Sequence, residues 1–179
     1  MYKLKFTSLQ QGVLRLFFAN PTKEFNGNGI ARALGVSQTA VHNTLGGLEK
    51  AAIVNVQKDN ETGRLSIRLN RENTKVVEMK RVENLRSLYD SGFVDALSER
   101  FPGETMILFG SYSFGEDIET SDIDIVVIGG KEKPIDTGKF EKVLGRKISS
   151  HFYQSLAEIP KNLRENVLSG ILLKGSVRL

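Results

Sequence analysis

Two aspartates and a Gly-Ser pair lie ten residues apart in the C-terminal half of the chain. Gly110-Ser111 ends an apolar run from Met106 to Phe109, and Asp122 and Asp124 begin a second apolar run that extends to Ile128. Because side chains alternate along a strand, we expect the two aspartates to point to one face. Neighbouring carboxylates repel each other unless a cation lies between them. The spacing therefore indicates a divalent metal site.

The same residues suggest what the metal would hold. Mg²⁺, or Mn²⁺ in its place, takes oxygen ligands and is commonly bound by one or two carboxylates plus substrate phosphates. Gly110 lets the backbone approach a phosphate closely, Ser111 adds a hydroxyl, and the helix that begins there favours anions. Ser121, just before the aspartates, is a further nucleotide-binding candidate. We therefore expect a nucleoside triphosphate (NTP) to bind here with its metal.

The Gly-Ser turn, the ten-residue spacer and the Asp-x-Asp strand together resemble the nucleotidyltransferase superfamily of DNA polymerase β. The likeness is strongest to the minimal nucleotidyltransferases, which are small prokaryotic proteins. It implies that Asp122 and Asp124 are the catalytic, metal-binding pair. It also implies transfer of a nucleotidyl group to a hydroxyl of a protein, a small molecule or an RNA end.

Two positions depart from the family's pattern. Ser149 stands where relatives carry a third carboxylate, and Phe114 stands where they often carry arginine. In the family, the third carboxylate completes the metal site that activates the attacking hydroxyl. Without it, NTP binding could survive while nucleotidyl transfer becomes slow. A nucleotide sensor or partner-binding module in a transcription regulator is therefore the alternative to an enzyme. His151 would share the face of Ser149 as a base or ligand, although a solvent-facing or core histidine is the commoner case.

The surrounding pattern predicts how these residues are positioned. After the two motif strands we expect a helix from Lys139 to Arg146, a strand from Lys147 to Tyr153, a helix from Pro160 to Leu168 and a strand from Ile171 to Lys174. The predicted fold class is α+β, with a mixed sheet flanked by helices at the C-terminus. We assign residues 102–179 to this nucleotidyltransferase-like domain.

Composition limits the other possibilities. The 179 residues include no cysteine, which excludes disulfides, cysteine-based zinc sites and thiol catalysis. With 40% hydrophobic residues and no long apolar span, we expect a soluble cytoplasmic protein with no membrane segment. Residues 1–70 hold nine basic and four acidic side chains, whereas residues 101–179 hold ten and eleven. This asymmetry favours an anionic partner for the first part, nucleic acid above all.

The N-terminal part resembles the helix-turn-helix of winged-helix regulators. Helices are predicted from Ser8 to Ala19, from Gly29 to Leu34 with Asn28 as its cap, and from Gln38 to Ala51 with Ser37 as its cap. The predicted core positions are apolar: Ile30, Leu34, Val36, Val41, Leu45 and Leu48. The candidates for reading double-stranded DNA point outward on the second helix of the motif: Gln38, Thr39, His42 and Asn43.

A hairpin follows as the predicted wing. Runs from Val54 to Lys58 and from Arg64 to Asn70 alternate around a polar turn. Its outward basic side chains are candidates for phosphate contacts: Lys58, Arg64 and Arg68. The alternative is a winged helix used only for protein docking or dimerisation.

The first residues, Tyr2 to Phe6, predict a short strand or an extended arm. The winged helix as a whole is assigned to residues 1–71.

Residues 72–101 are predicted to form a helical connector, with a bend at Ser91-Gly92. Its apolar residues recur at helical spacing: Met79, Val82, Leu85, Tyr89, Phe93 and Leu97. We expect this stripe to pack on the nucleotidyltransferase-like domain. A homodimer interface is the alternative, because many winged-helix proteins read paired half-sites.

Overall fold

A computed structural model describes residues 6–59 and 63–177. The chain divides into two compact units, residues 1–76 and 77–179. Most of the strand or arm predicted from Tyr2 to Phe6, and the tip of the predicted wing, lie outside the described residues. Within the described part, no helix is long and apolar enough to cross a membrane.

Between residues 6 and 73, the described part of the first unit contains three helices and a hairpin. Helix α1 spans Ser8–Ala19, α2 Gly27–Leu34 and α3 Gln38–Lys50, and strands β1 (Val54–Lys58) and β2 (Leu65–Leu69) pair antiparallel. This is the order of elements in a winged helix, as predicted. Its core is apolar and comes from all five elements and the short segments that join them: Val13, Leu14, Phe17, Phe18, Ile30, Val41, Leu45, Leu48, Ile53, Val54, Ile67 and Leu69. Of the predicted core positions, Leu34 and Val36 are only half-buried.

Helix caps explain where the helices begin. Thr7 and Gln10 form a capping box at α1, and the Ser37 hydroxyl accepts from Ala40 N at 3.2 Å at α3. The predicted start of α2 was wrong. Asn26, not Asn28, is its cap, because the Asn26 side chain accepts from Gly29 N at 2.7 Å and the helix then begins at Gly27.

The second unit is a four-stranded mixed sheet with helices. Its elements in chain order are α4 (Thr74–Asp90, whose first residues belong to the first unit), α5 (Phe93–Arg100), β3 (Thr105–Phe109), α6 (Gly110–Phe114), β4 (Ile123–Ile128), α7 (Gly138–Leu144), β5 (Ile148–Tyr153), a 3₁₀ turn (Leu156–Glu158), α8 (Lys161–Leu168) and β6 (Ile171–Lys174). The strand order is β5-β4-β3-β6; β3 runs antiparallel to β4 and β6, and β5 runs parallel to β4. The predicted α+β class is confirmed.

Helix α4 buries a face that coincides only in part with the predicted apolar stripe, because Leu85 of the stripe packs against the core of the second unit. Val76, Lys80, Asn84 and Leu88 recur every fourth residue and are buried, whereas Val82 is 67% exposed and Tyr89 42%. Farther along the chain, Phe93 and Leu97 of α5 do join the core of the second unit. The interior face of α4 is therefore half polar, and its polar side chains need buried partners.

Gly46 in α3 gives a test of local stability. A Cβ at this position would meet nothing within 4 Å, and Gly46 has no positive φ. Since glycine in a helix interior is about 1 kcal/mol less favourable than alanine, Gly46→Ala should raise the free energy of unfolding by about that amount in urea denaturation.

Gly35→Ala is the matched control, because it lies in the same unit and also faces open space but has φ 66°. Left-handed backbone should make this change destabilising by about 1–2 kcal/mol. If both substitutions lowered the free energy of unfolding, the helical conformation assigned to Gly46 would be contradicted.

Candidate functional site

The backbone of Gly110 lies directly against the Asp124 carboxylate. Strands β3 and β4 pair so that Phe109 is opposite Asp124, and the chain turns at the next residue with φ 73° at Gly110. A Cβ added to Gly110 would lie 2.6 Å from Asp124 Oδ2. Glycine is therefore required here for two reasons: the backbone conformation is left-handed, and there is no room for a Cβ beside the carboxylate. The structure brings Gly110-Ser111 and Asp124 together at one end of the paired strands.

The electrostatics of Asp124 suit a cation. Burial raises the pKa of its carboxyl above the ordinary value; the nearby His151 lowers it, and the charge of Asp122 raises it. Asp122 itself is exposed and precedes β4. A half-buried carboxylate beside a second carboxylate is costly to ionise, and a divalent ion would offset that cost.

The donors present fit a metal that is shared with a substrate. Within residues 6–59 and 63–177, no group of three His, Asp or Glu side chains is placed to hold a metal ion by itself. Two carboxylates plus phosphate oxygens and water are, however, the usual Mg²⁺ environment in nucleotide sites. Asp122 and Asp124 could thus hold a metal that arrives with a triphosphate.

Ser149 lies on the neighbouring strand beside Asp124. The parallel register of β4 and β5 pairs these two residues, and paired residues share a face. Ser149 Oγ is 3.3 Å from His151 Nε2, and the same nitrogen is 4.0 Å from Asp124 Oδ1. The Phe109 ring packs against the imidazole, with centroids 5.6 Å apart. A hydroxyl and an imidazole therefore occupy the strand next to the two aspartates.

Ser121 supports the loop before the aspartates. Its hydroxyl accepts a hydrogen bond from Ile118 N at 3.0 Å. Beside this loop a cleft of about 670 Å³ opens toward α7, with Ser121, Asp122, Lys142 and Lys147 among its lining residues. The cleft is lined by three carboxylates, Glu119, Asp122 and Glu141, and by three basic side chains, Lys142, Arg146 and Lys147, at one edge of the candidate site.

A buried polar cluster holds the helix that follows Gly110. Asp117 is 1% exposed; it pairs with Lys80 and accepts from Asn84 Nδ2 at 2.6 Å, and Arg146 Nη2 lies 3.5 Å from it. Asn84 Nδ2 also donates to the Tyr112 carbonyl at 2.9 Å. Burial is the main cause that raises the pKa of Tyr112, and the charge of Asp117 raises it further. The cluster joins α4 to α6 and to the start of β5.

Sequence reasoning missed this cluster. Lys80 and Asn84 lie among other polar residues of α4, so their types alone gave no sign of burial. The available signal was their spacing, because they continue the four-residue repeat of Val76 and Leu88. Gly115 is a second sign of close packing: a Cβ there would lie 2.4 Å from the Val77 carbonyl oxygen.

In the first unit, most of the predicted DNA-binding residues surround one groove of about 800 Å³. The groove runs from the N-terminus of α2 to the hairpin, and its polar lining includes Arg32, Gln38, Thr39, His42 and Arg64. Arg32 was not predicted. Asn43 is exposed on α3 but does not line the groove.

The other two basic candidates lie elsewhere on the hairpin. Lys58 pairs with Leu65 and Arg68 with Asn55, so these two basic side chains lie on opposite faces. Arg68 Nε donates to Glu24 Oε2 at 2.8 Å. Hydrogen bonds from Ser66 and Arg68 lower the pKa of Glu24. The three basic residues predicted to point outward therefore do not all lie on one face of the hairpin.

Comparison with known proteins agrees with the motif in the second unit. Residues 91–173 match the family model of the nucleotidyltransferase domain, which confirms the resemblance predicted from Gly110-Ser111 and the two aspartates. The match includes α5, which the sequence had assigned to the connector. No curated protein matches the chain.

Solved structures similar to this chain include transcription regulators. Staphylococcus aureus MepR, a regulator of the multidrug efflux pump MepA, is 25% identical with a TM-score of 0.40, covering 54% of this chain and 67% of its own. A MepR mutant from a multidrug-resistant clinical isolate of S. aureus is 26% identical with a TM-score of 0.38, covering 44% and 57%. A mutant of Lactococcus lactis ZitR is 19% identical with a TM-score of 0.42, covering 56% and 66%. The chain thus spans 57% to 67% of these regulators' length.

Gly110→Ala tests the contact with Asp124. Left-handed backbone alone should lower the free energy of unfolding by about 1–2 kcal/mol, and the clash with Asp124 should add to that loss. Gly103→Ala is the matched control, because Gly103 has φ 83° in the same unit but open space around it.

Thermal denaturation of both variants should show the larger loss for Gly110→Ala. Repeating Gly110→Ala in an Asp124→Ala background should reduce the loss to that of the control, because the clashing carboxylate is gone. An unchanged loss in that background would contradict the close approach of the two residues.

Proposed function

We propose that this protein is a nucleotidyltransferase that binds an NTP with Mg²⁺ or Mn²⁺ at Asp122 and Asp124, and that its winged helix binds double-stranded DNA. The approach of Gly110 to Asp124, within a segment that matches the nucleotidyltransferase domain, carries the enzymatic part of the proposal. It supports a site in which a phosphate-binding turn and a metal-binding carboxylate serve one triphosphate.

Each residue has a role in this proposal. Asp122 and Asp124 hold the metal on the triphosphate, and the Ser111 hydroxyl and the backbone at Gly110 contact the phosphates. The metal, when bound, neutralises charge that develops on the phosphate oxygens. The acceptor is a hydroxyl of a protein, a small molecule or an RNA end. The cleft beside Asp122 is lined by acidic and basic side chains in equal number, and its lysines, Lys142 and Lys147, are the candidates for contacts with an anionic nucleotide or acceptor.

A second candidate function is a DNA-binding transcription regulator whose nucleotidyltransferase domain senses nucleotides. The observation that favours it is the pairing of Ser149 with Asp124, because a hydroxyl there supplies no third carboxylate. Both candidates require metal-dependent NTP binding, and they differ in whether a nucleotidyl group is transferred.

The groove of the first unit supports the DNA-binding part. Gln38, Thr39 and His42 on α3 have the hydrogen-bonding side chains that read base edges, with Asn43 exposed on the same helix. Arg64 at the hairpin end of the groove is the proposed phosphate contact. Lys58 would contact a phosphate from the other face of the hairpin. Arg68 would have to break its ion pair with Glu24 before it could contact a DNA phosphate.

NTP binding is the first test. Titration calorimetry with each of the four NTPs should show affinity that disappears when EDTA removes the metal. Asp122→Asn should weaken it about 10- to 100-fold, since an interaction with a charged group contributes about 1.5–3 kcal/mol. Asp95→Asn, an exposed aspartate on α5, is the control and should leave affinity unchanged. Absence of binding with both Mg²⁺ and Mn²⁺ would refute both candidate functions.

DNA binding gives a second test. Glu24→Gln should release Arg68, raise duplex affinity at low salt and make the log-log salt dependence steeper by about one. Glu49→Gln changes the net charge equally in the same unit without touching that ion pair, so its effect should be smaller. Arg64→Ala should weaken all sequences alike. Equal effects of the two glutamate changes would exclude Arg68 from the interface, and absence of duplex binding would leave the winged helix as a docking module.

A further inference from the structure

Ser149 and His151 form a hydroxyl–imidazole pair beside the candidate NTP site. The two side chains lie on one face of β5, with Ser149 Oγ 3.3 Å from His151 Nε2. Their strand runs next to β4, and Ser149 is paired there with Asp124. The Ser149 hydroxyl and the Asp124 carboxylate thus both lie within 4.0 Å of one imidazole nitrogen.

This pair has the features of an activated nucleophile. A serine hydroxyl is weakly nucleophilic unless a neighbouring base takes its proton, and the base must lie within hydrogen-bonding reach. His151 satisfies this distance. Its ring packs against the Phe109 ring, at 5.6 Å between centroids, and its side chain is 36% exposed. The pair is therefore positioned by packing and is still accessible to a bound ligand.

We propose that Ser149 is a self-modification site, which accepts a nucleotidyl group from the NTP bound at Asp122 and Asp124. This inference rests on the proposed function and names the acceptor for that site. Ser149 stands at the strand position where relatives carry a third carboxylate, and here it would supply the attacking oxygen.

The step balances with NTP as the only co-reactant. Ser149 Oγ attacks the α-phosphorus and forms an O–P bond, while the bond between the α-phosphorus and the bridging oxygen to the β-phosphate breaks. Pyrophosphate leaves with that electron pair. The hydroxyl proton passes to His151 Nε2. The product is a phosphodiester between Ser149 and a nucleoside monophosphate, with one pyrophosphate released per chain.

The modification would limit itself. The new phosphodiester would place a negative charge beside Asp124, with which Ser149 is paired, and like charges at this distance repel each other. It would also occupy the space next to the two aspartates. One adduct per chain is therefore expected, and a further NTP should bind more weakly to the modified protein.

Ser150 provides a control on the same strand. It pairs with Ile125 rather than Asp124, so it points to the opposite face of the sheet. Among the described residues its Oγ is buried and has no hydrogen-bond partner, so Ser150→Ala removes no interaction of that hydroxyl. Ser149→Ala and Ser150→Ala thus make the same chemical change on the two faces of β5.

The experiment combines intact-protein mass spectrometry with calorimetry on the full chain. Incubation with Mg²⁺ or Mn²⁺ and each NTP should add the mass of one nucleoside monophosphate, and fragmentation should place it on Ser149. Ser149→Ala should abolish the adduct, Ser150→Ala should keep it, and Ser149→Thr should retain part of it. His151→Gln should slow its formation by about 10²- to 10⁴-fold, the usual contribution of a positioned base. Calorimetry should show NTP affinity within about twofold for Ser149→Ala, well under 1.4 kcal/mol.

A measurement without metal or nucleotide completes the test. In EDTA, the imidazole resonances of His151 should shift in Ser149→Ala and remain in place in Ser150→Ala, because only the first change removes the hydroxyl beside Nε2. Unchanged resonances in both variants would show that the Ser149 hydroxyl does not contact His151 Nε2, and the inference would then fail.

The outcomes separate the two proposals. Metal-dependent NTP binding that needs Asp122, with no adduct, would overturn the role of Ser149 and leave the proposed function in place. An adduct that persists in Ser149→Ala would overturn it as well, by placing the acceptor elsewhere. If no NTP binds, the proposed function fails and this inference fails with it.

Discussion

The close approach of the Gly110 backbone to the Asp124 carboxylate is the constraint on which the candidate site depends. It follows from the antiparallel register of β3 and β4, which ends with Phe109 opposite Asp124, and from a left-handed turn at the next residue. No side chain fits at Gly110 without moving that carboxylate. The turn that presents Ser111 and the segment that presents Asp124 at the start of β4 are therefore fixed relative to each other before any ligand binds. Preorganisation of this kind is what phosphoryl-transfer sites require.

The buried polar cluster around Asp117 supports this geometry from behind. Burying a carboxylate is costly unless charged and hydrogen-bonding partners surround it, and Lys80, Asn84 and Arg146 provide them. Because Asn84 also binds the Tyr112 carbonyl, the cluster holds α6 in place after the Gly110 turn. Removing Asp117 would leave the buried Lys80 and Arg146 without that counter-charge. The same chain segment leads from Arg146 into β5, where Ser149 lies.

Much of the fold followed from the sequence because local signals agreed with it. The apolar runs, Ser37 as a helix cap and the alternation around the hairpin predicted most elements to within a few residues. The start of α2 was misplaced because Asn26 and Asn28 are both suitable caps, and only the hydrogen bond to Gly29 N distinguishes them. The buried face of α4 was misassigned in part because the buried Lys80 pairs with Asp117, a partner 37 residues away that the sequence pattern of the helix does not indicate. The pairing of Arg68 with Glu24 was missed for the same reason.

The register of β4 and β5 places Ser149 beside Asp124. The family resemblance had indicated Ser149 as the position where relatives carry a third carboxylate.

A crystal structure of the protein with Mn²⁺ and a non-hydrolysable NTP analogue would test the central claim most directly. Anomalous scattering locates Mn²⁺ independently of the protein density. Our account predicts an anomalous peak within about 2.0–2.3 Å of carboxylate oxygens of both Asp122 and Asp124, typical of this class of ion, and triphosphate oxygens next to Gly110 and Ser111. A triphosphate bound elsewhere, or Mn²⁺ that contacts neither aspartate, would contradict it.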